Sequence, residues 1–203
     1  MKRFLGWLMI FMSLLGFAPA HSLAAAKIPV IIASSFDTSE QNFNNLTFYK
    51  LKELAQKYSD NAFDFQLFPG MQLGDELETV RGIQLGTIQM AMLATNNYAP
   101  FAPSCGWLNM PYLFDSLEEF RGLVDAMWDQ HNEWAIKEGG ARILSIMDIG
   151  YRQLTTNAKH PVRKLADAKG IKIRTPQNPL MVSTFKALGL EPTAVAFSET
   201  FRA

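Results

Sequence analysis

The sequence predicts an α/β fold, on three observations. Short apolar runs of β-branched or alternating pattern recur along the chain, amphipathic stretches of helical period separate them, and Gly or Pro marks most of the junctions. Strands alternating with helices imply βαβ units and a largely parallel sheet covered by helices.

Residues 28–33 form a β-branched apolar run, which reads as a buried strand. Thr38 with Gln41 three residues on resembles a capping box, and Phe43, Leu46, Tyr49 and Leu54 continue near helical spacing up to Tyr58. Phe63, Phe65 and Leu67 alternate with Asp64 and Gln66, a half-buried strand that stops at Pro69-Gly70. Asp75 is an N-cap with Glu78 at the third helical position, and Leu77, Val80 and Ile83 carry that helix to Gly86. Residues 87–93 are the next strand, and Pro100, Pro103 and Pro111 mark an irregular stretch. Ser116 with Glu119 opens one long helix, expected to run through Phe120, Val124, Trp128 and Trp134 to a Gly139-Gly140 stop. Residues 142–149 are expected to be a strand.

A second unit is expected from Gly150. It holds a polar turn or short helix over residues 164–168, a strand over 169–174, and a helix with Asn178 as N-cap, Pro179 in the first position and Gly189 as its stop. A short strand over 193–197 follows, and Ser198 caps a last helix.

Composition narrows the function. The 203 residues carry 19 Lys+Arg against 19 Asp+Glu, are 48 % hydrophobic and include one cysteine, which excludes collagen-like, disulfide-knit and disordered chains. Phosphate neutralisation needs a clustered basic excess that is missing here, so nucleic acid is not an expected partner. Lys2 and Arg3, the apolar run from Phe4 to Phe17, and the small residues at 18–20 and 22–26 have the layout of an export signal over residues 1–26. The expected location is the periplasm. Removing Lys2 and Arg3 leaves a slightly acidic protein, and Cys105, standing alone, reads as a small buried hydrophobe.

Enzyme signatures are absent: there is no G-x-S-x-G, G-x-x-x-x-G-K, G-x-G-x-x-G or H-E-x-x-H. His131 and His160 have no cysteine or carboxylate at ligand spacing, so neither a metal nor a cofactor is expected. Arg174 is the most informative residue. It ends a strand just ahead of a helix capped by Asn178, so its guanidinium should stand at the carboxyl end of the sheet, where open α/β folds bind ligands. Its planar fork of donors matches a carboxylate bidentately. Arg152, after Gly150-Tyr151, is placed to converge on the same crevice.

These residues also carry a resemblance. Gly150-Tyr151-Arg152, Thr156-Asn157, Lys169 to Thr175 and Ala196-Phe197-Ser198-Glu199 resemble successive motifs of the extracytoplasmic solute receptors of tripartite ATP-independent periplasmic (TRAP) transporters, the DctP-like group. Phe68-Pro69, Gln72-Leu73-Gly74-Asp75, Gly86-Thr87-Ile88 and Met110 to Phe114 agree with it in order and spacing. The resemblance implies a periplasmic-binding-protein-like fold of two α/β domains with a ligand cleft between them. Residues 27–149 are then the first domain and 150–203 the start of a second. It also implies a binding protein that captures an organic acid, a sugar acid or C4-dicarboxylate, and delivers it to membrane permease subunits. Arg174 is implied as the carboxylate clamp, Arg152 as a second polar contact, Phe197 as a ligand-lining ring, Glu76 as a partner of ligand hydroxyls, and Asn96 and Asn97 as further polar contacts. Members of the group continue past the Ser-Glu motif with more helices and strands, so the chain is expected to be truncated. The stretch from Arg174 to Pro179 resembles members that take uronates or keto-sugar acids. A periplasmic enzyme holding a carboxylate substrate, with Glu76, Asp75 or His160 as base, and a ligand-sensing extracytoplasmic domain are the alternatives.

Overall fold

The computed structural model describes residues 26–36, 39 and 43–202. The expected export signal, Ala26 apart, and the Thr38 and Gln41 cap lie outside the described residues. Strands β1 (Ile28–Ser34), β2 (Phe63–Phe68) and β3 (Met90–Met92) form one parallel sheet in the order β2-β1-β3. Strands β4 (Lys172–Thr175) and β5 (Glu191–Ala194) form a second parallel pair. The chain has the predicted α/β architecture, with helices α1 (Phe43–Tyr58), α2 (Glu76–Leu85), α3 (Thr95–Tyr98), α4 (Leu117–Ala126), α5 (Trp128–Gly139) and α6 (Pro179–Ala187) between and beyond the strands.

Period-two alternation sends the side chains of β1 to opposite faces, and Val30 and Ile32 share one of them. Val30 and Ile32 meet Phe48 of α1 and Phe65 of β2, with Phe63, Leu67, Met90 and Met92 closing around them. Val80 of α2, Tyr98 of α3, Ala102, Cys105 and Ala135 of α5 form a second cluster. Fully burying a side chain such as Ile32 or Val80 stabilises by about 1.5–3 kcal/mol. The caps read from the sequence are present: Asp75 accepts from the Glu78 backbone N–H at 2.9 Å while the Glu78 carboxylate accepts from the Asp75 N–H at 2.9 Å. Ser116 accepts from the Glu119 N–H at 3.1 Å, and Gly86 and Gly140 end α2 and α5 in the left-handed conformation.

Five expectations are corrected. The long helix from Ser116 breaks at Met127 (φ −96°, ψ 5°), which closes α4 and opens α5. The halves serve different neighbours: Phe120 of α4 stacks edge-on against Phe114, while His131, Ala135 and Gly139 of α5 face Trp107 and Tyr98. Residues 142–149 form no strand, because no described strand pairs with them to complete a ladder. Side chains hold this segment instead, through Asn132 Oδ1 accepting from the Ile143 N–H at 2.9 Å and Arg121 gripping Asp148. The strand expected over 87–93 keeps only Met90–Met92, since the Thr87 and Ile88 N–H groups are spent on the Gly82 carbonyl at the end of α2. The strand expected over 193–197 is Glu191–Ala194, set by the Glu191 N–H donating to Ile171 O at 2.9 Å. Pro192 is tolerated there because β5 has a neighbour on one side only in its two-stranded sheet. Finally, Ser198 lies in a single 3₁₀ turn, Phe197–Glu199, in place of a capped α-helix, as i→i+3 bonds suit so short a run.

His131 lies in the core at 3 % exposure, and its Nδ1 accepts from the Trp107 indole N–H at 3.0 Å. Nδ1 therefore carries no proton, and burial lowers the pKa of the ring. The unfolded chain takes up this proton below about pH 6.5 and the native one resists it, so stability falls as pH drops through that value. Urea unfolding between pH 7.5 and 5 should show this loss, and His131→Gln, which keeps a neutral acceptor for Trp107, should flatten it. Superimposable pH slopes for the two proteins would remove His131 as the cause.

Candidate functional site

In a parallel sheet every strand exit lies on one edge, and ligands of open α/β folds bind outside that edge, where the strand order reverses. Here β1 is central with β2 and β3 on either side, so the reversal lies between β1 and β3. Glu76 opens α2 after the exit of β2, Asn96 and Asn97 lie in α3 just past β3, and Arg174 is the penultimate residue of β4. Arg152 comes from the irregular segment that follows α5.

Hydrogen bonds join three of the six expected residues, Arg152, Asn96 and Asn97, and two more, Arg174 and Glu76, lie within electrostatic range of one another. Arg152 Nη2 donates to Asn96 Oδ1 at 2.7 Å, and Asn96 Nδ2 donates to Asn97 Oδ1 at 2.7 Å. Asn96 is 1 % exposed and Asn97 is buried beside it. Arg174 donates from both Nε and Nη2 to the Val195 carbonyl, at 2.9 and 2.6 Å, which fixes the plane of its guanidinium. Desolvation lowers the Arg174 pKa first, the Glu76 charge raises it, and the Arg152 charge lowers it. Those opposing influences place Glu76 and Arg152 within electrostatic reach of Arg174. Arg152 is exposed as a whole residue, yet its head reaches a buried partner and its pKa is lowered by desolvation.

No carboxylate among the described residues comes within ion-pair distance of either arginine; the ion pairs there join Lys50 to Glu53, Arg121 to Asp148 and Arg202 to Glu199. Two arginines drawn together without a paired carboxylate favour an anion between them, because bringing like charges out of water is unfavourable until a counter-charge arrives. The sixth residue, Phe197, stands apart at the start of the last 3₁₀ turn and is 57 % exposed. Asp75 is committed to its cap, and His160 is exposed in a turn. Among the described residues no group of three or more His, Cys, Asp or Glu is placed to hold a metal, and no helix is long and apolar enough to cross a membrane.

Asn178 belongs to the cluster, and the sequence marked it only as an N-cap. Its Oδ1 accepts from the Met181 N–H at 3.1 Å as expected, but its Nδ2 also donates to the Asn96 carbonyl at 2.7 Å, and the residue is 2 % exposed. The available signal was the residue type. Asp or Ser caps a helix equally well, and of the three Asn alone adds an amide donor beside the capping acceptor.

The geometry defines a parallel α/β protein with two arginines near its strand exits. Residues 34–203 match the bacterial extracellular solute-binding proteins, family 7 (DctP), and the chain belongs to that family. The chain is 29 % identical over 183 residues, 88 % of its length and 56 % of the relative's, to the 2,3-diketo-L-gulonate-binding periplasmic protein YiaO of Escherichia coli. Its structure is similar to that of a TRAP periplasmic solute-binding protein from Roseobacter denitrificans with bound L-galactonate, at TM-score 0.79 and 30 % identity over 87 % of this chain and 58 % of that one. It also resembles a Rhodobacter sphaeroides TRAP solute-binding protein in an apo, open and partially disordered form, at TM-score 0.67 and 39 % identity over 87 % and 56 %. The chain spans about half the length of the curated relatives it matches, 56 % of one and 50 % of another.

Replacing Arg152 with Ala leaves Asn96 Oδ1 buried without its donor. The expected loss is about 1–3 kcal/mol of stability, read in urea unfolding; an unchanged midpoint and slope would mean that the bond contributes nothing.

Proposed function

We propose that this protein is the solute-binding receptor of a TRAP transporter, exported to the periplasm by the signal over residues 1–26, and that it binds a sugar acid. The observation that carries this reading is the approach of Arg174 and Arg152 at the strand exits with no carboxylate paired to either. Arg174 clamps the ligand carboxylate, held in plane by the Val195 carbonyl. Arg152 supplies a second donor and the field that favours the anion. Glu76, half-buried in the first turn of α2, accepts from ligand hydroxyls, and Asn96 and Asn97 complete a polar wall. Phe197 reaches the ligand only once its segment folds inward over the cleft.

Residues 27–149 and 150–203 contribute to two domains that close on the acid, driven by contacts made only in the closed arrangement. The receptor then hands the acid to the membrane permease subunits. Support for sugar acids comes from the relatives, one named for 2,3-diketo-L-gulonate and one holding L-galactonate. The relatives reported are named as binding proteins, which favours a receptor over an enzyme acting on the same acids.

Titration calorimetry of the full-length protein with L-galactonate, 2,3-diketo-L-gulonate, D-glucuronate and succinate tests the reading. At least one sugar acid should bind, Arg174→Ala should abolish that binding at a cost of about 2–5 kcal/mol, and Arg174→Lys should weaken it strongly for want of the fork. Retention of wild-type affinity by Arg174→Ala, or recovery of a chemically converted acid after incubation, would overturn it.

A further inference from the structure

We infer that Asn178 is a positioning residue that holds the two halves of the anion site in register, an inference that rests on the receptor reading for its ligand but not for its geometry. The hydrogen bond from Asn178 Nδ2 to the Asn96 carbonyl spans 82 residues of sequence and joins α3, which follows the first sheet, to the N-terminus of α6, which follows the second. Arg152 also hangs on Asn96, through its side-chain oxygen. One buried asparagine therefore holds the Arg152 side with its side chain, and offers its main chain to the segment that carries Arg174 four residues before Asn178.

Asn178 is suited to this double duty. Its extended backbone (φ −127°, ψ 116°) places the side chain over the first turn of α6, so the acceptor oxygen is used within the helix and the amide is left to donate to Asn96. At 2 % exposure this amide has no water to fall back on, so the bond to Asn96 is its satisfaction and not an incidental contact. The structure that contains the bond superposes better on the ligand-bound relative than on the open one, although the open one is closer in sequence; this is a difference between the structures compared. By adding a contact between the halves, Asn178 raises the share of molecules in the binding-competent arrangement, and apparent affinity rises with that share.

Two substitutions separate this role from capping alone. Asn178→Ser and Asn178→Asp both preserve a capping acceptor of similar strength, and both remove the amide donor. If Asn178 only caps, both variants bind the acid found by calorimetry as the wild type does. If it sets register, both should bind about tenfold more weakly at pH 7.5, the loss expected for one buried hydrogen bond left unmade, and melt about 3–6 °C below wild type because the Asn96 carbonyl loses its donor. Hydrogen exchange of the ligand-free proteins gives a readout free of any ligand: amides of residues 95–98 should exchange about tenfold faster in Asn178→Ser, with the first turn of α6 unchanged. Wild-type affinity and wild-type exchange in Asn178→Ser overturn the inference. Failure of the wild type to bind any acid overturns the receptor reading instead, and the exchange data then decide the role of Asn178 alone.

Discussion

Asn96 is the point through which the site is held together. Its carboxamide oxygen takes Arg152, its amide gives to Asn97, and its carbonyl takes Asn178, all in a position with almost no access to solvent. A buried network of this kind is favourable only when each member is satisfied, because an unpaired polar group in low dielectric is far more costly than a made bond is rewarding. The three segments that meet there, α3, the irregular stretch after α5 and the start of α6, are therefore fixed relative to one another by polar groups, while the apolar cluster of Val30, Ile32, Phe48 and Phe65 fixes the first sheet.

The electrostatics follow from that placement. Strand polarity directs Arg174 to the exits of the second pair, and the Asn96 network draws Arg152 toward it. Glu76 adds a negative charge within electrostatic range of Arg174 without entering an ion pair with it. Arg121 shows the contrast: its exposed bidentate bond to Asp148 raises the arginine pKa and lowers that of the carboxylate, which is the signature of a structural pair.

What was legible in the sequence was whatever local chemistry decides. The caps at Asp75, Ser116 and Asn178, the stops at Gly86 and Gly140, and the alternation of β2 all rest on a few adjacent residues, and each appears as read. What required neighbours was misread. Residues 142–149 have strand chemistry, but pairing is a property of two chains of residues, and no described strand supplies the second. Met127 carries neither Pro nor Gly to announce a break, since the cause is the different packing partners of Phe120 and His131. The position of Arg174 at a strand end ahead of a capped helix was legible, because the strand and the cap are both local. The second bond of Asn178 was hidden, because its partner lies 82 residues away and is a backbone atom that no side-chain pattern reveals.

The register of β1 bears on how the molecule assembles. Its two neighbours arrive late, Ile28 pairing with Phe63 and Ile32 with Met90, and the contacts at the anion site span 56 and 82 residues. Closing such long loops is entropically unfavourable until the contacts that reward it have formed, so parallel pairing of this kind is slow and the site is among the last parts to take shape. A chain in which Arg152 reaches Asn96 and Asn178 reaches its carbonyl has already closed contacts across much of its length, which makes the placing of these side chains a gauge of finished folding.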